Sequence, residues 1–184
     1  MLPLGTPLPD FNLPAPNADM HGPSDMKDAP ALLVAFLCNH CPYVQHIADE
    51  LGKMTAEWAA DGLATIGVTS NDVAAYPEDG PNRMNGFAGL HGWTFPYVYD
   101  ETQEVAKAFG AACTPDFFLF DRDRRLAYRG QFDGSRPGSG TPVTGADLDA
   151  AVRAVLDGRP VEGDQQPSVG CSIKWKPGNE PDYA

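Results

Sequence analysis

The sequence predicts a layered α/β domain, a mixed sheet between helices, on three observations. Short apolar runs alternate with segments of helical period through most of the chain. The last two apolar runs are joined by a polar turn too short to hold a helix, which adds an antiparallel hairpin to strands otherwise linked by right-handed crossovers. The opening 30 residues carry so much Pro, Gly, Asn and Asp that no regular helix fits there. With 184 residues, no internal repeat and no dividing linker, the chain reads as one domain, 1–184. Residues 1–30 form an N-terminal extension, 31–158 the core, and 159–184 a tail packed on it.

Within the extension a short strand is expected at Asp10 to Leu13. ALLVAFL, from Ala31, is a fully buried strand with turn residues before it. From Pro42, Val44, Ile47, Leu51, Met54 and Trp58 recur at spacings of three and four, an amphipathic helix stopped by Asp61-Gly62. LATIGVTS is a second buried strand. NDVAAYPEDGPNR reads as a loop and MNGFAGLHG as a short helix weakened by glycine. FPYVYD is a third strand, and ETQEVAKAFG a helix closed by glycine. DFFLFD and RLAYRG are the hairpin strands. DGSRPGSGTPVTG is a loop, ADLDAAVRAVLDG the last helix, and the tail from Arg159 is irregular around the island VGCSIKWK.

A formal charge of −12 argues against nucleic acid, which needs a basic footprint, and against an anionic membrane surface. No apolar run approaches the roughly 18 residues that cross a bilayer. MLPLGTPLPDF has neither a basic n-region nor an apolar h-region, so the expected location is cytoplasmic, where thiols are kept reduced.

FLCNHCPY carries two of the four cysteines, Cys38 and Cys41, where a buried strand runs into a helix. A helix N-terminus offers free N–H donors and partial positive charge, which stabilise a thiolate and make it nucleophilic. Pro42 is tolerated in the first turn. On this reading Cys38 attacks, Cys41 resolves the mixed disulfide, and His40, when protonated, favours the Cys38 thiolate and a more oxidising couple. His40 pointing to solvent is the plain alternative.

ALLVAFLCNHCP resembles the thioredoxin fold, a three-layer α/β/α architecture with a mixed central sheet. Thr114-Pro115, in ACTPDFFLFD, matches that fold's second landmark. The resemblance implies a cis bond at Pro115, packed on the C-x-x-C, with the Thr114 backbone pairing a bound substrate strand. GTPLPDFNLP resembles the peroxiredoxin-like opening. Together with SNDVAAYPEDGP, FPYVYDETQEVAKAFGAACTPDFFLFD and VGCSIKWKPGNEP it makes the chain similar to the peroxiredoxin-like, AhpC/TSA-type thioredoxin proteins along nearly its whole length. By that resemblance a peroxidatic cysteine would fall at Cys41, but its usual threonine and proline are Cys38 and Val34, and its arginine falls near Pro115. Thioredoxin's tryptophan and buried carboxylate are Leu37 and Leu32. The implied activity is thiol–disulfide exchange without an organic cofactor or metal, between a cellular dithiol donor and a protein or small-molecule disulfide. Weak peroxidase activity is the nearest alternative.

Cys113 and Cys171 leave three readings: unrelated thiols, a second redox pair fed by Cys38–Cys41, or two ligands of a four-cysteine or mixed Cys/His site for Zn or Cu(I), with His46 either a further ligand or a plain surface residue. Trp175 covers apolar surface or sits in a lid that brings Cys171 to Cys113. The YPEDGP loop borders the active-site face. His21 and His91 receive no role.

Overall fold

The computed structural model describes residues 2–183. In chain order it contains β1 (Leu13–Pro14), β2 (Met20–His21), β3 (Ala31–Phe36), α1 (Pro42–Ala60), β4 (Leu63–Thr69), α2 (Pro81–Leu90), β5 (Tyr97–Tyr99), α3 (Glu104–Phe109), β6 (Cys113–Thr114), β7 (Asp116–Phe120), β8 (Leu126–Gly130), α4 (Ala146–Leu156) and β9 (Cys171–Ser172). The main sheet has the order β5-β4-β3-β7-β8. β3 runs parallel to β4, and β4 to β5, while β7 and β8 are antiparallel additions. This is the mixed sheet of the thioredoxin fold.

All of β3 is buried, so its alternating side chains feed both faces. Leu33, Ala35 and Leu37 pack with α1 and α4 residues such as Leu51, Trp58, Leu148 and Val152. Leu32, Val34 and Phe36 pack on the other face with Phe109 of α3, Phe118 and Phe11 of the N-terminal segment. Three layers result, and each fully buried large side chain stabilises by about 1.5–3 kcal/mol. Trp58 Nε1 also donates to Asp149 Oδ1 at 2.8 Å, which ties α1 to α4.

Three boundaries differ from the sequence expectation. The N-terminal strand lies at Leu13–Pro14, later and shorter, because Pro14 and Pro16 lack the N–H a longer ladder requires. α2 starts at Pro81, where proline suits a first helical position, so the turn-like DGP in fact opens the helix. The tail is not wholly irregular: β9 pairs with β6 in a two-stranded ribbon outside the main sheet. Ile173 beside it is buried, and Trp175 packs on the Phe36 face and edge-on to Tyr183, docking rather than closing as a lid.

Candidate active site

The end of β3 sets the site. Leu37 N donates to Val68 O at 2.8 Å, so the strand stays in register with β4 until the residue before Cys38. Cys41 is the N-cap of α1 and Pro42 its first residue. The intervening Asn39 and His40 turn the chain, and both cysteines end fully buried, at 0 % exposure.

That turn is held by a carboxylate the sequence reading did not name. Asp79, itself buried, lies in a 3-10 turn, Pro77–Asp79, inside YPEDGP. Its Oδ1 accepts from Asn39 N (2.7 Å) and His40 N (3.0 Å), and its Oδ2 meets His40 Nδ1 (2.5 Å) and Asn71 Nδ2 (2.8 Å). Tyr97 Oη donates to Asn39 Oδ1 at 3.2 Å, and the His40 ring stacks on Tyr76. His40 is therefore turned to Asp79 rather than to solvent. The clue in the sequence was the loop, expected to border this face; which of its residues mattered depended on the fold.

The Thr114–Pro115 peptide bond is cis, and Thr114 touches both sulfurs. Its Oγ1 lies 3.3 Å from Cys38 Sγ, and its carbonyl oxygen 3.3 Å from Cys41 Sγ. The main-chain edge of Thr114, expected to receive a substrate strand, is taken by the tail: in β9, Cys171 pairs with Thr114 and Ser172 with Cys113.

The two sulfurs share a proton unequally. The Cys38 thiol donates to Cys41, and the Cys171 thiol and the Val44 and Cys171 backbone N–H groups add to it; together they outweigh burial and bring Cys41 down to about 4. Cys38 is pushed far up by its bond to Cys41, by burial and by the Asp79 charge. The direction of the two shifts favours the thiolate on the helix-capping residue. When Cys41 is protonated instead, its S–H points to the Thr114 carbonyl. The sequence reading places the low-pKa thiol on Cys38; the direction of these shifts favours Cys41 instead, the residue just before the helix start expected and found at Pro42.

Burial raises Cys171 to about 11 and Cys113 to about 12. Successive residues of a strand face opposite ways. Cys171, opposite Thr114, therefore shares the face of the C-x-x-C, while Cys113 faces away, its thiol 3.7 Å from the Pro115 carbonyl oxygen. The fold brings together Cys38, Cys41, Thr114, Pro115 and Cys171, and it sets Cys113 and Cys171 on opposite sides of one ribbon. His46 is engaged elsewhere, with Ser135 at 3.0 Å, and His91 with Asp49 at 2.6 Å.

Cys38, His40 and Asp79 place potential ligand atoms within 4.8 Å of one another. The Asp79 carboxylate already meets four nitrogen groups, so a metal there would have to displace the bonds that shape the turn. Its donor set suits a hydrogen-bond hub better than a ligand.

The profile of the AhpC/TSA family matches residues 4–129. The chain belongs to the AhpC/TSA family. It is 51% identical to a hypothetical protein, SMc02350, from Sinorhizobium meliloti 1021, with 97% of both chains covered and a TM-score of 0.95. An uncharacterized conserved protein from Geobacillus kaustophilus is 49% identical over 97% of this chain and 95% of its own, with a TM-score of 0.93. A putative thiol:disulfide interchange protein DsbE from Chlorobium tepidum superposes with a TM-score of 0.67 at 21% identity, over 85% of this chain and 99% of its own, and so shares the fold. No curated protein matches the chain. Family and fold make this a redox protein of thioredoxin type. Among the described residues, no helix is long and apolar enough to cross a membrane.

Proposed function

We propose that this chain is a thiol–disulfide oxidoreductase with Cys38 and Cys41 as its redox couple, Cys41 attacking and Cys38 resolving. The observation that carries this reading is the meeting of both sulfurs at the start of α1, Cys41 at its N-cap, with each sulfur 3.3 Å from Thr114. The Cys41 thiolate attacks one sulfur of a disulfide; the S–S bond breaks, a Cys41 mixed disulfide forms, and the other sulfur leaves as a thiolate. The Cys38 thiol gives its proton to that leaving group and attacks Cys41 Sγ. The Cys38–Cys41 disulfide forms and the second substrate thiolate departs, so the substrate is reduced by two electrons and the protein oxidised by two. Asp79 and His40 fix the turn that carries both sulfurs, and Thr114 keeps the pair packed. A cytoplasmic dithiol donor returns the couple to the reduced state, and neither metal nor organic cofactor takes part.

Two measurements on one sample test this. Mass spectrometry of alkylated protein through a glutathione redox titration should show Cys38 and Cys41 interconverting as one two-electron couple. Thiols masked until a chelator strips stoichiometric Zn or Cu would replace the redox reading with a metal-site one.

Peroxide reduction is the second reading, favoured by the same low-pKa Cys41. Its thiolate would take one oxygen from a hydroperoxide, releasing the alcohol, and Cys38 would close the disulfide with loss of water. Against high efficiency, Arg129 on β8 is committed to Asp116 Oδ2 (3.2 Å) and the Gly110 carbonyl (2.7 Å). Hydroperoxide consumption that needs Cys41 and survives Cys38→Ser in a single turnover would establish it.

A further inference from the structure

Three of the four cysteines converge on one point, and the third comes from the tail. Cys171 is the direct cross-strand neighbour of Thr114, a position whose Cβ atoms stand about 4.5–5.5 Å apart on one face. Thr114 in turn has its hydroxyl on Cys38 Sγ and its carbonyl on Cys41 Sγ, each at 3.3 Å. Cys171 is held there from both sides. Before it, Gly170 lies so tightly on the Thr114 carbonyl that a Cβ at 170 would stand 2.0 Å from the oxygen. Further back, Ser168 Oγ donates to Gly130 O at 2.7 Å, which fixes the approach along β8. After it, Ile173 N donates to Ala112 O (3.1 Å), and the Lys174 main chain bonds Asn71 (2.8 Å) and Asp72 (2.8 Å). The thiol is positioned by a docked strand and does not hang on a loose end.

Exposure separates the three sulfur-bearing residues. Cys38 and Cys41 are at 0 %, whereas Cys171 is partly open to solvent. An external thiol that meets this face reaches Cys171 first.

We propose that Cys171 is the exchange thiol between the buried Cys38–Cys41 couple and solvent, and that it does so by forming a disulfide with Cys41. The proposal rests on the redox reading of the C-x-x-C. In the oxidised protein the Cys171 thiol gives up its proton and its sulfur attacks Cys41 Sγ. The Cys38–Cys41 bond breaks, Cys38 leaves and takes up the proton, and a Cys41–Cys171 disulfide results. The disulfide has moved without net oxidation. An external dithiol then attacks the Cys171 sulfur and expels Cys41 as a thiolate. The donor's other sulfur then closes on the first and expels the Cys171 thiolate, which is reprotonated, leaving the donor oxidised by two electrons and the protein reduced by two. Cys41 suits the leaving role because the lower-pKa sulfur departs faster. Cys113, on the opposite face of the ribbon, is not a competing partner.

The test uses the full chain carrying Cys38→Ser, oxidised with diamide, quenched in acid, digested and mapped by mass spectrometry. The expected product is a disulfide between the peptides that contain Cys41 and Cys171, also present as a minor species in the partly oxidised wild type. A companion measurement follows reduction of the oxidised wild type, Cys171→Ser and Cys171→Ala by dithiothreitol. Both variants should be reduced about tenfold more slowly at an unchanged midpoint potential, a split that a purely structural thiol would not produce. Cys41 recovered only as free thiol or external adduct in Cys38→Ser, while the wild type still forms Cys38–Cys41, overturns this proposal and leaves the redox reading intact. A wild type that forms no Cys38–Cys41 disulfide removes the redox reading itself.

Discussion

The strand–helix turn and the β6–β9 ribbon each carry two cysteines, and they treat them in opposite ways. In the turn, three positions of chain bring Cys38 and Cys41 to the same side, where both sulfurs contact Thr114. In the ribbon, Cys113 and Cys171 are only one step out of register, and that step puts them on opposite faces. Closeness in space therefore does not make a pair. The ribbon gives one thiol to the turn's face and leaves the other out, so the site gathers three sulfurs, not two plus two.

The largest effect that would break this picture concerns Cys41. If it carries the thiolate, iodoacetamide labelling of the reduced chain should stay nearly flat from neutral pH down to about 5 and fall only towards the folded pKa of about 4. Cys41→Ser should abolish that acid-stable labelling and all disulfide formation at residue 38. Cys38→Ser should keep the labelling but move its midpoint upward, because the Cys38 thiol is the main donor to the thiolate. Stability carries the same sign. The folded pKa lies below the ordinary 9.0, so the thiolate's contribution is complete above about 9 and is lost as pH falls through about 4. Cys41→Ser should flatten that window relative to wild type. Labelling that follows Cys38 instead would restore the order expected from the sequence.

Most of the turn was legible in the sequence, and most of the ribbon was not. The run ALLVAFL, the C-x-x-C, Pro42 and the three-and-four spacing through Trp58 are local signals, and together they define a strand, a turn and a helix. Thr114-Pro115 was legible as a landmark. The helix start at Pro42 was legible too; what the sequence could not show was which sulfur the distant Thr114, Asp79 and Cys171 would favour as the thiolate. Asp79 sat inside a recognised loop, yet a lone Asp among prolines carries no sign that its carboxylate meets four nitrogen groups. β6 and β9 are two residues each, and their first residues, Cys113 and Cys171, lie 58 positions apart in the chain. Such a pairing has no periodicity to read; it follows from where the tail docks.

The next effect in size sharpens the turn. Asp79→Ala removes the acceptor of buried main-chain and Asn71 donors and should cost roughly 2–4 kcal/mol in denaturant unfolding. Asp79→Asn keeps an oxygen for the two main-chain N–H groups but turns an amide nitrogen towards His40 or Asn71. It should cost less, and by removing the charge it should lower the Cys38 pKa. Equal stability of the Ala variant and wild type would mean the turn holds itself.

Gly170→Ala probes the ribbon in the same way. The new methyl group meets the Thr114 carbonyl at 2.0 Å, against main chain that has no room to yield, so β9 must shift. A cost of about 1–3 kcal/mol is expected, together with faster alkylation of Cys41 as its cover loosens. Faster labelling without loss of stability would show that the strand rests on the site more lightly than its hydrogen bonds suggest.

The smallest effect is expected at Cys113, and it is the one that most directly tests the asymmetry of the ribbon. Its thiol faces away from the C-x-x-C and donates to the Pro115 carbonyl oxygen at 3.7 Å, and burial keeps it protonated, with a pKa of about 12. Serine is close in size and can make the same bond, so Cys113→Ser should change stability by no more than about 0.5 kcal/mol. The midpoint of the Cys38–Cys41 couple should be unchanged, and the Cys41–Cys171 disulfide should form as in wild type. If Cys113→Ser instead removes a second two-electron couple from the titration, the two ribbon thiols reach each other in solution, and the face rule that separates them here fails.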